Sequence, residues 1–340
     1  MMQNEITTRQ PLFDASGHLA NPGYAKRMLF DYSRKDVKAS GWRIKEWDYY
    51  AVLNDDFGFS CTIADLSYSS LVSANFIDFK TGTYLTKSKI GWFTFGKLGL
   101  PSTSEVGSVG YHDKQFDFDF HRDEVGRRLR VAIYGFCAEG DLEADIRLEA
   151  PDDDSMVIAT PWPTKKPRFY LNQKINCLPA SGTVKVGERV CTFDPLTSFG
   201  VLDWGRGAWT YKNTWYWGSA SGMAAGSRFG FNIGYGFGDT SKATENMMFF
   251  DGKAHKLDQV TFHLDDTDVM KPWTFTSNDG RFEMTMTPIV DRQDDINYGI
   301  IKNLGHQVFG RYAGWVVLDD GSRLEIKNLL GFAEKITNHY

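Results

Sequence analysis

No window of this chain approaches the ~20 consecutive apolar residues that a membrane-spanning helix requires. Its start, MMQNEITTRQPLFDASG, has no basic start followed by the apolar run of a secretory signal. These absences predict a soluble, cytoplasmic protein without a transmembrane segment. Cysteine is scarce: Cys61, Cys137, Cys177 and Cys191 show no CxxC spacing, and with seven scattered histidines they form no metal template. No metal is expected, and the thiols should be buried and reduced; Cys177 and Cys191 are the one pair that could meet across a hairpin. Clustered positive charge is missing as well. The net charge is −5, and the longest basic run, Arg127-Arg128-Leu129-Arg130, follows Asp123 and Glu124, which excludes an electrostatic grip on nucleic acid.

Long helical repeats are also absent; only segments near Tyr24 to Lys35 and Leu329 to Thr337 could form a few turns. What is present has a period of two. In Leu142 to Glu149 (LEADIRLE) apolar and charged residues alternate, the mark of a half-buried strand. Phe116 to His121, Val260 to Asp265, Phe282 to Thr287 and Arg323 to Lys327 repeat the pattern, and Asp251-Gly252, Asp279-Gly280 and Asp320-Gly321 supply hairpin turns. At 340 residues the chain exceeds the ~250 at which a single core stops growing, so a mainly β protein with two cores is expected. Pro161, Pro163 and Pro167 suggest a division near residue 170, into units of residues 1–170 and 171–340.

Two stretches are unlike ordinary amphipathic strands. In Phe229 to Gly238 (FGFNIGYGFG) one face is aromatic or aliphatic and the other mostly glycine, so something must approach closely: either a ligand or another strand at a bent barrel corner. Residues 199–217 hold Trp204, Trp209, Trp215 and Trp217, four of the ten tryptophans, with Asp203 and Arg206 among them. By strand alternation Trp215 and Trp217 share one face and Tyr216 takes the other.

The segments LDWGRGAWTYKNTWYWGSASG, FNIGYGFGD, TENMMFFDGKAHKLDQVTF, HQVFGRYAG and DDGSRLEIKNLLGFAE together resemble the domain-of-unknown-function 2804 family, from about Pro11 to Glu334. Asp-Trp-Gly-Arg-Gly is the most specific piece. More distantly, Trp204-Gly205 followed by Trp215-Tyr216-Trp217 is similar to the WG and W-x-W elements of tocopherol cyclase and the carotenoid hydratase hydroxyneurosporene synthase. That resemblance implies two lipocalin-like, calycin-type antiparallel β-barrel or sandwich domains with few short helices. It also implies proton-driven chemistry on isoprenoid-like carbon–carbon double bonds, with no metal or organic cofactor.

For such chemistry a carboxyl kept protonated by apolar burial is needed, and Asp203 beside Trp204 is the candidate acid. Indole faces could stabilise a carbocation, which makes Trp204, Trp209, Trp215 and Trp217 candidate walls. Arg206 is open to two other readings: a partner that turns Asp203 into a structural strut, or a contact for a carboxylate or phosphate head. His306 could shuttle protons or be a hydrogen-bonded structural residue. Asn232, Asp239, Glu245 and Asn246, around the glycine-rich strand, could form a polar patch at a barrel mouth, with loop capping an equally open reading of Asp239 and Asn246; Asp117, Asp119 and His121 read as solvent-facing. The expected partner is a hydrophobic small molecule. The enzyme reading, a cofactor-independent hydratase, cyclase or isomerase acting on an isoprenoid- or polyketide-like substrate, stands beside that of a non-catalytic carrier of a lipid or other apolar molecule. Both require a dry, ring-lined hollow, expected within the second half.

Overall fold

The computed structural model describes residues 3–297 and 302–339. Its regular structure is almost all antiparallel strand, in two curled half-barrel sheets, as the lipocalin-like resemblance implied. Along the main path of the first sheet lie, in order, Thr83–Trp92, Ser69–Asp78, Phe57–Asp65, Ile44–Leu53, Phe199–Ala208, Phe169–Val186, Gly140–Glu149, Gly126–Cys137, Phe116–Arg122 and Gly107–His112. Met156–Pro161 and Arg189–Phe193 add to the long Phe169–Val186 strand, and Gly23–Ala25 extends the former. The second sheet runs Lys253–Lys256, Met247–Phe250, Ser227–Tyr235, Lys212–Ala224, Arg323–His339, Lys302–Val317, Phe282–Asn297, Trp273–Ser277 and Val260–His263. Among the described residues no helix is long and apolar enough to cross a membrane.

Each sheet wraps a core of its own. Phe57, Phe59, Phe76, Phe118 and Trp204 fill the first, Phe229, Phe231, Trp273, Phe275 and Phe282 the second. The turns are those the Asp-Gly pairs announce: Asp251 (φ 49°) and Gly252 (φ 78°) both take the left-handed conformation that a tight hairpin demands. The prolines, by contrast, turn a hairpin within the first sheet, between Met156–Pro161 and Phe169–Val186. The expected division near residue 170 therefore falls inside a ladder, and the chain passes between sheets at residues 209–211.

Neither expected helix forms. Leu329 to Thr337 belongs to the strand Arg323–His339, and every residue from Leu329 to Glu334 is buried. A strand covered on both faces reads as a continuous apolar run, which periodicity does not distinguish from a helix. Tyr24 to Lys35 holds the end of one short strand, the whole of another, Phe30–Asp31, and the start of one 3₁₀ turn, Arg34–Asp36. The four cysteines are free.

The two sheets meet face to face along two apolar seams. In one, Tyr170, Trp209 and Phe249 gather with Phe237 and Met247; in the other, Ala51, Ile77 and Val201 meet Trp217, Phe309 and Phe332. Trp215 packs against both.

Candidate functional site

Between those seams lies a cavity of about 250 Å³, lined from both sheets. The hollow expected inside the second half is instead a space between the halves, because the interior of the second sheet is filled by its own rings. Register explains its lining. On the first sheet Lys174, Asp203, Tyr49, Thr62, Ser73 and Ser88 are successive cross-strand neighbours, forming one polar row. On the second, Trp217, Glu334, Gln307 and Arg292 form another. All ten line the cavity.

The rows touch. Lys174 Nζ lies 2.9 Å from Asp203 and 3.5 Å from the centre of the Trp217 ring of the other sheet. The Gln307 amide donates to the Tyr49 hydroxyl at 3.2 Å and to Glu334 at 3.1 Å, while the Arg292 Nε donates to the Gln307 oxygen at 3.0 Å. Trp215 Nε1 donates to the other Glu334 oxygen at 2.9 Å. Burial pushes the Glu334 carboxyl up to about 7, against the pull of the Trp215 indole, Lys174 and Arg292. Burial likewise raises Glu245, the third carboxyl in the lining, and the hydroxyls of Tyr49 and Tyr170. Here a carboxyl can hold a proton near neutral pH beside apolar rings, in reach of a Lys and an Arg.

The Asp-Trp-Gly-Arg-Gly-Ala-Trp segment divides by face. Asp203, Gly205 and Gly207 point at the cavity side, where the glycines leave room for indoles: a Cβ on Gly205 would sit 2.1 Å from Trp47, and one on Gly207 2.7 Å from Trp209. Gly205→Ala is expected to displace the Trp47 ring, costing about 1–3 kcal/mol of stability by overpacking and reshaping the cavity wall; urea unfolding with tryptophan fluorescence measures both. The alternate residues Trp204 and Arg206 point into the first sheet. Neither lines the cavity. Arg206, fully buried, donates to the carbonyls of Trp47, Gly205 and Pro101 and to Asp48 at 2.9 Å, and stacks 4.0 Å from the Trp204 ring. It does not pair with Asp203, because residues three apart on a strand face opposite ways; Asp203 takes Lys174 and the Asn172 amide (2.6 Å) instead.

Of the remaining predicted residues, Trp209, Trp215, Trp217 and Glu245 line the cavity. Asn232 and Asn246 stand behind it. Asn232 accepts from Trp217 Nε1 at 2.6 Å and donates to the Glu245 carbonyl at 2.8 Å; Asn246 accepts from Gly234 N and donates to the Asp258 carbonyl. Gly234 is bare because the Glu245 carboxylate fills its Cβ position at 2.7 Å, and Gly230 because Cys177 Sγ does at 2.6 Å. The partner of the glycine face is thus this protein's own side chains. His306 lies outside the lining, paired at 2.7 Å with Asp291; its neighbour Gln307 takes the inward face. Tyr216 packs on Tyr235 inside the second sheet, as alternation required. Asp117, Asp119 and His121 are exposed, the two acids near His112 and His121 on Ser108.

Sequence reasoning missed Lys174, Glu334, Arg292 and Gln307. A signal exists for the first-sheet row: the outward faces of Phe57–Asp65 and Ser69–Asp78 carry mostly small uncharged residues, with Leu71 and Ile77 among them, not the Glu, Asp and Arg of Gly140–Glu149. Small uncharged residues suit a covered face.

The family pattern described as domain of unknown function (DUF2804) matches residues 3–340. No curated protein is similar in sequence. Among solved structures, a candidate AttH from Nitrosomonas europaea superposes with a TM-score of 0.53 at 16% identity, covering 91% of this chain and 97% of that one. Kievitone hydratase from Nectria haematococca gives 0.52 at 9% identity, over 87% and 88%. These likenesses concern the fold.

Proposed function

The chain belongs to the DUF2804 family, whose description assigns no activity, and we propose that it is a cofactor-independent acid–base enzyme of hydratase, cyclase or isomerase type. Its substrate on this reading is an apolar, unsaturated molecule of isoprenoid or polyketide kind, held between the sheets. The supporting observation is the pair of polar rows facing each other across an aromatic cavity, with the Glu334 carboxyl at its wall. Kievitone hydratase, similar in fold, lends a precedent for water addition.

In the proposed step protonated Glu334 gives its proton to one carbon of a double bond, and the cation formed faces Trp47, Trp215 and Trp217. Water adds to the other carbon, and the proton it releases returns to Glu334, so the net change is addition of one water. Asp203, with Lys174 and Asn172, orients a polar group of the guest. Cyclisation or isomerisation shares the first proton transfer and ends instead by closing a ring or losing a neighbouring proton.

A carrier role has its own observation: Asp203 is already engaged by Lys174 and Asn172, as in a fixed wall. The test is native mass spectrometry of protein purified from its own host, followed by extraction of the retained molecule and its incubation with fresh protein. The enzyme reading expects the molecule to return with one water added, or rearranged at constant mass. Return of the molecule unchanged supports a carrier. Retention of no molecule, together with failure to bind an apolar fluorescent probe, overturns both.

A further inference from the structure

An exposed aromatic cluster adjoins the cavity lining at Trp92, outside the chemistry proposed above. Trp42, Trp92, Phe93 and Phe95 are between 38% and 58% exposed. The ring of Trp42 lies 5.0 Å from Phe95 and 6.2 Å from Phe93. Trp92, which ends the edge strand Thr83–Trp92, also lines the cavity. Trp92 precedes Phe93 in the chain, so the patch adjoins a residue of the cavity lining.

The rings are held outward at a cost. Phe93 and Phe95 have φ of 58° and 47°, the left-handed region that bulky residues avoid. Hydrogen bonds fix that backbone: Phe93 N donates to the Tyr68 carbonyl at 2.8 Å, Phe95 N to the Ser67 carbonyl at 3.0 Å, and Gly96 N to buried Asp65 at 2.8 Å. The strained turn is thus pinned with these rings exposed to solvent.

Charge identifies the occupant. Apart from the buried Lys45, residues 33–45 carry Arg34, Lys35, Lys38 and Arg43 against the single acid Asp36, and residues 87–97 carry Lys87, Lys89 and Lys97 with no acid, in a chain of net charge −5. Some are tied, Arg34 to Glu46 and Lys89 to Asp113, while Lys35, Lys38 and Lys97 reach solvent. Exposed Trp and Phe flanked by Lys match the headgroup zone of an anionic bilayer. A second copy related by a two-fold axis would set these cations against themselves.

We infer that this face docks on anionic membrane surfaces, so that an apolar guest passes from the bilayer by way of Trp92 into the cavity. The route of the guest rests on the function proposed above; the docking does not. The test is co-sedimentation of the full chain with phosphatidylcholine vesicles, with and without phosphatidylglycerol. Wild type should bind the anionic vesicles at least roughly tenfold better than the neutral ones. The triple variant Trp42→Ser, Phe93→Gly, Phe95→Gly should lose roughly tenfold or more of that binding, with its thermal midpoint kept or raised because glycine accepts positive φ. Lys35→Glu with Lys97→Glu, a surface change that leaves the turn alone, should remove the preference for phosphatidylglycerol. Absence of wild-type binding to either vesicle, or triple-variant binding equal to wild type, overturns the inference. So does a patch-dependent dimer without vesicle binding. Uptake of an apolar probe from vesicle-free solution reports on the cavity separately, so its failure is not confused with failure of docking.

Discussion

Glu334→Gln is expected to abolish turnover while stabilising the fold above neutral pH. Loss of the proton donor should lower kcat by about 10²–10⁴-fold, the usual worth of a positioned acid, with apolar-probe binding unchanged because glutamine keeps the size of the side chain. The stability effect follows from linkage. In the folded state burial holds this carboxyl at about 7 against an ordinary 4.5, with Trp215, Lys174 and Arg292 opposing and Asp203 adding to the rise. Below the ordinary value both states are protonated and its favourable contribution is fully present. That contribution is lost as pH rises through about 7, and a shift of this size corresponds to about 3 kcal/mol. Glu245 is raised in the same sense, so the variant should flatten the slope only in part. Lys45 and Lys256, lowered by burial to about 7 from 10.5, act above that window. Urea unfolding at acid, neutral and mildly alkaline pH should show wild type losing more stability than the variant on the way up. Parallel curves would sink the assignment of Glu334 as the buried, titrating acid.

That acid escaped the sequence for a physical reason. Glu334 lies in Leu329 to Thr337, whose unbroken burial hides strand alternation, so the segment resembled a short helix and its one buried carboxyl an ordinary charged position. Where one face meets water the pattern was legible, as in LEADIRLE and the Asp-Gly hairpins, and there sheet and turn emerged together. Alternation put Trp215 and Trp217 on one face, and both lie on the lining with Trp209, whereas Trp204 points into the first core. Partnership across sheets was not legible. Lys174 meets Trp217 and Gln307 meets Tyr49 only because two sheets pack face to face, and no local spacing encodes that. Asp203 and Arg206 invited pairing by proximity, but their separation sends them to opposite faces.

Those opposite faces carry the second large effect. Arg206→Met is expected to be among the most destabilising single changes in the first sheet. The guanidinium satisfies three backbone carbonyls and is the cation 2.9 Å from Asp48, in a site without solvent. Breaking a buried ion pair from one side costs about 3–5 kcal/mol, since the remaining charge loses its compensation. Glu46 keeps Arg34 at 2.6 Å and the Tyr32 hydroxyl at 2.8 Å, so the loss falls on Asp48. Burial already raises that carboxyl, with Arg206 the leading pull in the other direction. Without the arginine the folded value climbs further above the unfolded one. The defect should therefore be smallest in acid, where Asp48 is protonated, and grow as pH rises. Arg206→Lys should recover only part, because an ammonium cannot span four acceptors from one fork; Arg206→Met with Asp48→Leu should recover more by removing the stranded charge. Chemical denaturation of the three variants at acid and alkaline pH decides it, and wild-type stability of Arg206→Met at alkaline pH would refute this role of Arg206. Because Arg206 holds the Trp47 carbonyl while the Trp47 ring walls the cavity over Gly205, the variant should also bind apolar probes less tightly. An arginine that never touches the guest would in this way set the shape of the space it occupies.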